Sequence, residues 1–262
     1  MLVLLFIFGA CIGSFLCCQA RRLHLKTSRR KSLGSRSVCL NCGRQLKWYD
    51  NLPIISWLLL RGKCRKCHSR IGLAELLSEL GVALAFLCIG TTFDIESAGV
   101  LDWCKFILLL VYIAIMCFLA IYDGLYGELP VSFLIIAVLL SIVNLILQEI
   151  GIILSTGFTF DLVYKPFLSV LILGGLYLVL YLISKGKWVG DGDWILGVAI
   201  GLVLFDPWLA LIELFLANTI ACFVMLPFVL KKRRTKIYFG PFLAIAMVLV
   251  LTFSTFIYTI IG

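Results

Sequence analysis

Residues 104–122 read CKFILLLVYIAIMCFLAIY and contain a single charged side chain, Lys105. As an α-helix this segment is about 28 Å long, close to the roughly 30 Å hydrocarbon thickness of a bilayer. It lacks the alternation of polar and apolar residues that a transmembrane β-strand requires. Because lipid offers no partners to backbone groups, the segment is predicted to cross a membrane as a helix.

Similar apolar runs recur along the 262 residues. Hydrophobic residues make up 62% of the chain, charged residues 14%, and the mean hydropathy is +1.10, which excludes a water-soluble domain. The pattern predicts an all-α polytopic membrane protein with about eight transmembrane helices. Their approximate bounds are 2–20, 73–90, 104–122, 129–150, 166–184, 190–205, 208–230 and 241–261. We expect three parts: a first helix (1–20), a basic loop (21–72) and a seven-helix membrane core (73–262).

Positive charge is concentrated between the first two predicted helices. Residues 21–70 hold fourteen Lys or Arg side chains and one acid, Asp50. Such a segment can bind nucleic acid, but beside membrane helices we favour a cytoplasmic loop that contacts anionic lipid, with no nucleic-acid partner.

The orientation follows from the same charges. No basic residue precedes the first apolar run, as it would in a signal peptide, so we expect this helix to be retained with its N-terminus outside. Eight spans then place the C-terminus outside too. They also place on the inside Lys185, Lys187, Lys231, Lys232, Arg233, Arg234 and Lys236.

Four of the eleven cysteines form two C-x2-C pairs within the basic loop: Cys39, Cys42, Cys64 and Cys67. Each pair can place two thiolates on one side of an ion, and two pairs complete a tetrahedron, so the spacing predicts a structural Zn²⁺ site. Two disulfides are the alternative, which a reducing cytoplasm disfavours. Nearby Arg44, Arg65 and Lys66 would offset the negative charge of a four-thiolate site.

Two aspartates stand at predicted membrane boundaries. Asp123 ends the third span, and Asp193 completes the motif Gly190-Asp191-Gly192-Asp193 at the start of the sixth. The predicted topology puts both at the cytoplasmic face, where they can converge. Two adjacent carboxyl groups that share a proton can hydrolyse a peptide bond, one as base and the other as acid. An ion or proton relay, or a structural role at the helix ends, uses the same residues.

Taken in order, several motifs resemble those of type IV prepilin peptidases over nearly the whole chain. The motifs are Gly13-Ser14-Phe15-Leu16, the paired cysteines, Trp48 to Trp57, Leu60 to Cys64, the D-x6-P element from Asp123 to Pro130, and the G-x-G-D of residues 190–193.

This resemblance implies a GxGD-type aspartic membrane protease. Such an enzyme removes the leader of prepilins or pseudopilins at the cytoplasmic face of the bacterial inner membrane. The resemblance implies Asp123 and Asp193 as the catalytic pair and the four cysteines as a zinc-binding loop. It also implies methylation of the new N-terminal amine with S-adenosylmethionine in many members.

The leaders of such substrates are basic, so the basic loop should repel them. We therefore expect Glu128 and Asp191, each close in sequence to a catalytic candidate, to hold the leader; both can equally be solvated interface charges. Two other functions stay open. One is a proton- or cation-coupled transporter, and the other is a zinc-stabilised scaffold of pilus or competence machinery.

Overall fold

A computed structural model describes residues 1–27, 37–39, 41–186, 189–230 and 238–261. Within these ranges the chain is helical, and the only strand-like pairings are two isolated bridges, Val38 with Gln45 and Lys63 with Arg70. The chain divides into two compact units, residues 1–90 and 91–262. The all-α prediction is therefore confirmed for the described part of the chain.

The first unit is built on two long helices, α1 (Leu2–Thr27) and α3 (Leu73–Thr91). Between them lie a one-turn 3₁₀ helix (Trp48–Asn51) and the short helix α2 (Ile55–Leu59). Glycines let α1 approach α3 closely, since a Cβ on Gly13 would lie 2.5 Å from the carbonyl oxygen of Ser78. Small residues at such crossings are typical of membrane helices.

The described residues of the second unit form seven α-helices. They are α4 (Val100–Tyr126), α5 (Val131–Thr156), α6 (Asp161–Val170), α7 (Leu176–Ser184), α8 (Asp193–Leu204), α9 (Pro207–Leu230) and α10 (Gly240–Ile261). A π-helical turn, Leu171–Gly175, joins α6 and α7 into one continuous helix. The helix α8 packs against α5, against the π turn and against α10.

Seven helices of the described chain are long and apolar enough to cross a membrane. An eighth, α8, is apolar but has only 12 residues, or about 18 Å of helix. The prediction of about eight spans is thus confirmed approximately, and the protein is a multi-pass membrane protein. Among the cations predicted to lie inside, several fall outside the described residues: Lys187, Lys231, Lys232, Arg233, Arg234 and Lys236.

The short helix α8 is held by close backbone packing. A Cβ on Gly197 would lie 2.9 Å from the carbonyl oxygen of Leu173, and the hydroxyl of Ser169 donates to the carbonyl oxygen of Gly201 at 2.8 Å. A π turn beside small residues lets two helices meet at this distance. The packing fixes the position of Asp193, the first residue of α8.

Candidate active site

Asp123 lies in the last turn of α4, and only 6% of its surface is exposed. Its Oδ2 atom accepts a hydrogen bond of 2.9 Å from the backbone N–H of Gly240, the first residue of α10. The N-terminus of a helix carries free N–H groups and a partial positive charge, which suit a carboxylate. This contact joins residues that are 117 positions apart.

Gly240 was not predicted from the sequence as a site residue. A Cβ at this position would lie 2.9 Å from Asp123 Oδ2, so any other residue would push the carboxylate away. Glycine is required here by the closeness of the contact rather than by an unusual backbone angle. A lone glycine gives no sequence signal for this role.

Asp193 is also buried, with 7% of its surface exposed. Its Oδ2 atom accepts a hydrogen bond of 2.9 Å from the backbone N–H of Gly190, so the G-x-G-D segment folds back on its own aspartate. Gly192 lies against Leu129, because a Cβ there would be 2.8 Å from Cβ of Leu129. The start of α8 therefore contacts the segment that follows Asp123.

The structure brings the two aspartates into the same region of the second unit. The charge of Asp193 acts on Asp123, and among the described residues neither carboxylate forms a salt bridge. Tyr177 borders this region. Its ring centroid lies 5.4 Å from that of Phe239, and the charge of Asp193 acts on its hydroxyl group. Two buried carboxyl groups without cations can share a proton and act as an acid and a base.

Glu128 and Asp191 are both exposed. The charge of Asp191 acts on Asp193, and that of Glu128 acts on Tyr122. These positions place two solvated negative charges near the buried pair. Their role in holding a leader stays a prediction.

The four cysteine sulfurs of the first unit lie within 4.8 Å of one another. Each pair sits on a tight turn: Gly43 N–H donates to the carbonyl oxygen of Cys39 at 2.9 Å, and His68 N–H donates to that of Cys64 at 3.0 Å. The isolated bridges noted above close both turns. The cluster can hold a metal ion with all four coordination positions taken by the protein.

The cysteine turns favour thiolates at two of the four positions. The backbone of Cys42 lowers the pKa of Cys39, and hydrogen bonds from Ser69 and Asn41 lower the pKa of Cys67 to about 5. The backbone of Arg44 stabilises the Cys42 thiolate, but desolvation and the neighbouring thiols raise the pKa of Cys42 to about 11. A site of this kind releases protons when a metal binds.

Two of the arginines near the cysteines have a different partner from the one expected. Arg44 and Arg65 lie 3.5 Å and 3.0 Å from the carboxylate of Asp50, whose side chain is 3% exposed. They therefore tie the 3₁₀ turn to the cysteine turns. The sequence suggested that these arginines offset the thiolate charge. The structure shows that they also form salt bridges with Asp50.

Residues 7–93 match the family described as the bacterial peptidase A24 N-terminal domain. The prepilin leader peptidase/N-methyltransferase of Myxococcus xanthus is 41% identical over 38% of this chain and 30% of its own length. That of Vibrio cholerae is 50% identical over 18% of each chain, and that of Aeromonas hydrophila is 28% identical over 93% of this chain and 87% of its own. The chain is thus similar to prepilin leader peptidase/N-methyltransferases, in the case of the Aeromonas hydrophila relative over nearly its whole length.

The two relatives with the higher identity are matched over less than a third of their own lengths. The segment matched to the A24 N-terminal domain contains all four cysteines of the cluster. No solved structure matches the chain.

Gly240→Ala is expected to lower leader cleavage by about tenfold to a hundredfold, because the new methyl group would displace the Asp123 carboxylate. Gly124→Ala is the matched control, since its Cβ would lie at an ordinary 3.6 Å from Pro241. Cleavage of a prepilin by the two purified variants, followed by gel shift, measures the difference. Equal rates for both variants would contradict the role of Gly240.

Proposed function

We propose that the chain is a membrane aspartic endopeptidase that removes the leader peptide of type IV prepilins or pseudopilins. The observation that carries this proposal is the pair of buried aspartates, Asp123 and Asp193, each held by a backbone N–H and neither paired with a cation in the described chain. The names of the relatives supply the substrate class.

In the proposed reaction, the ionised member of the pair takes a proton from a water molecule as its oxygen attacks the scissile carbonyl carbon. The protonated member donates to the carbonyl oxygen, so a tetrahedral intermediate forms without a full charge on oxygen. The carbon–nitrogen bond then breaks, and the leaving amine takes a proton from the first aspartate. The backbone contacts at Gly240 and Gly190 keep both carboxyl groups in place during these transfers.

We place this reaction at the cytoplasmic face of the bacterial inner membrane, with both termini outside. The positive charge of residues 21–70 supports this orientation, because basic loops stay on the cytoplasmic side and attract anionic lipid. A prepilin would then keep its apolar helix in the bilayer while its leader reaches the aspartates from the cytoplasm.

Two further groups belong to the proposal. A Zn²⁺ ion held by Cys39, Cys42, Cys64 and Cys67 would have no open position and would stabilise the loop without taking part in catalysis. S-adenosylmethionine would supply a methyl group for the new N-terminal amine, which the N-methyltransferase names of the relatives support.

Intact-mass analysis of a prepilin incubated with the purified protein tests this function. We expect loss of the leader mass without the methyl donor, and an added methyl mass when S-adenosylmethionine is present. An unchanged prepilin would contradict the peptidase. A cleaved pilin without the methyl mass would contradict only the second activity.

One observation favours the alternative of a proton or cation carrier. Glu213, in the second turn of α9, is fully buried, and neither of its carboxylate oxygens has a hydrogen-bond partner among the described residues. Ionisable groups within membrane helices commonly mark ion or proton pathways. A proton-flux measurement in liposomes distinguishes this function, because a peptidase requires no flux.

Glu128→Gln and Asp191→Asn are expected to slow cleavage of a basic leader about threefold to tenfold, because each removes an exposed negative charge near the site. A substrate with a neutralised leader should be affected less, and the difference should shrink at high salt. Cleavage rates for both leaders at two salt concentrations measure the effect. Equal losses for the two leaders would mean that these acids do not hold the leader.

A further inference from the structure

The short helix α2 lies beside the membrane-spanning parts of α1 and α3 rather than beyond their ends. The N–H of Ile54, the residue before α2, donates to Glu79 Oε2 on α3 at 2.6 Å, and the hydroxyl of Ser14 on α1 hydrogen-bonds to the same carboxylate. Ser14 and Glu79 both belong to helices that are long and apolar enough to cross a membrane. The start of α2 is therefore level with these spans.

The ion pair between Arg21 and Glu75 gives a reference for this depth. Arg21 is the first charged side chain of α1, and it lies 2.6 Å from Glu75 in the first turn of α3. Glu79 follows Glu75 by about 6 Å along α3, and Ser14 precedes Arg21 by about 10 Å along α1. Both steps lead away from the basic loop and into the apolar part of the helices. Ile54 thus lies one to two helical turns deeper than the ion pair.

The two faces of α2 have different surroundings. Ser56, Trp57 and the following Leu60 line a cavity that is also lined by residues of α1. The opposite face carries Ile55, Leu58 and Leu59, which do not line this cavity and are between 56% and 77% exposed. Three exposed aliphatic side chains at spacings of three and four residues form an apolar surface on one side of the helix.

The backbone before α2 turns sharply at this depth. Ile54 has φ of +62°, which is rare for a β-branched residue. Hydrocarbon offers no partner to a backbone N–H, so a chain that turns inside a membrane needs an acceptor from the protein. Glu79 supplies this acceptor and holds the strained residue in place.

Both ends of the α2 segment return to the same side of the membrane. Asp50, before the segment, forms a salt bridge of 3.0 Å with Arg65, after it. The flanking cations Lys47, Arg61 and Lys63 are exposed. Cations beside an apolar surface suit the phosphate groups of lipids at the edge of a bilayer.

We propose that residues 52–60 form a re-entrant segment that inserts into the leaflet on the side of the basic loop. In this arrangement Ile55, Leu58 and Leu59 contact lipid acyl chains, and the flanking cations contact lipid phosphates. A helix of five residues is far too short to cross a bilayer, so the segment enters and leaves by the same face. The inference requires neither the peptidase nor the methyltransferase activity.

Lipid is the partner that the depth of the segment favours. A partner protein in the cytoplasm would meet α2 only if the helix projected beyond the ends of α1 and α3, whereas Glu79 and Ser14 hold it beside them. Burial of exposed aliphatic side chains in hydrocarbon is favourable, and the polar atoms of the turn already have partners within the protein.

Fluorescence quenching by brominated lipids tests the insertion in the full chain. A fluorescent amino acid replaces Leu59, and the protein is reconstituted into vesicles of phosphatidylethanolamine and phosphatidylglycerol with bromine on the acyl chains. Leu84, an exposed residue of α3, gives the membrane control, and Gln45, an exposed residue of the loop, gives the aqueous control. Retained zinc shows that each labelled protein is folded.

We expect bromolipid to quench the label at position 59 at least about half as strongly as the label at position 84, and hardly at all at position 45. Iodide in the buffer should give the reverse order. A label at position 59 that iodide quenches and bromolipid does not, as at position 45, would overturn the proposal.

A benzophenone amino acid at position 59 distinguishes lipid from a protein partner. Irradiation of the vesicles should give an adduct with the mass of a phospholipid, and added prepilin should leave its yield unchanged. An adduct with prepilin in place of the lipid adduct would assign this surface to the substrate and overturn the lipid contact.

Two variants of Glu79 test how the segment is held. Glu79→Gln keeps an oxygen that can accept the N–H of Ile54, whereas Glu79→Leu leaves this N–H without its partner. We expect the first variant to keep most of the bromolipid quenching at position 59 and the second to lose at least about half of it. Equal quenching in both variants would show that Glu79 does not hold the segment.

Discussion

Asp123→Asn and Asp193→Asn are each expected to reduce leader cleavage by at least about a thousandfold. Each substitution keeps the shape of the side chain and one oxygen for the backbone N–H of Gly240 or Gly190, but removes the proton carrier. General acid and base catalysis contributes about a hundredfold to ten-thousandfold, and groups that act as a unit are lost together. The double variant should therefore be no slower than either single one.

The control for these variants is Asp161→Asn, which removes an exposed carboxylate in the first turn of α6 that pairs with Lys165. It should leave cleavage unchanged. Leader removal at more than about a tenth of the normal rate in either variant would exclude the two-aspartate mechanism.

Cys64→Ser or Cys67→Ser is expected to lower the bound zinc from about one ion per chain to nearly none. Four ligands close the site, and a structural zinc ion contributes roughly 10 to 16 kcal/mol to the folding of a small domain. The loop between α1 and α3 has no sheet and only two short helical segments in its described part, so little else holds it. Its lysines and arginines should then become open to trypsin.

Metal analysis and timed trypsin digestion measure this change. Cys222→Ser is the matched control, since Cys222 is an exposed residue of α9 outside the cluster. It should retain the zinc and the digestion pattern. If the Cys64 variant kept both as well, the cluster would not be a zinc site.

The two C-x2-C pairs show how much of a metal site can be predicted from a short sequence motif. Each pair forms its own turn by hydrogen bonds between residues four positions apart, so the spacing already contains the geometry of half a metal site. The long membrane spans can also be predicted from one continuous stretch of sequence, because hydropathy and length decide whether a helix can cross lipid. These features could be predicted from short windows, and the structure has them at nearly the expected residues.

The bounds of the short helix α8 could not be predicted from the hydropathy of a short stretch of sequence. Its apolar run was predicted over 190–205, but the helix covers only Asp193–Leu204. It ends at Phe205, which has φ of +42°, and Asp206 then accepts the N–H of Trp208 at 2.8 Å to start α9. Hydropathy does not report a tight break between two apolar helices, because it depends on backbone geometry and capping.

The amino-acid pattern was enough to mark Asp123 and Asp193 as candidates, since an ionisable residue beside an apolar span is costly and is by default a functional candidate. It could not supply Gly240, whose N–H reaches Asp123 across 117 positions, nor the contact between Gly192 and Leu129. Likewise, Glu75 and Glu79 stand one helical turn apart in any helix, but only packing brings the N–H of Ile54 to within 2.6 Å of Glu79 Oε2. Chain order fixes neighbours along a helix, whereas contacts between distant helices arise only when their surfaces fit together.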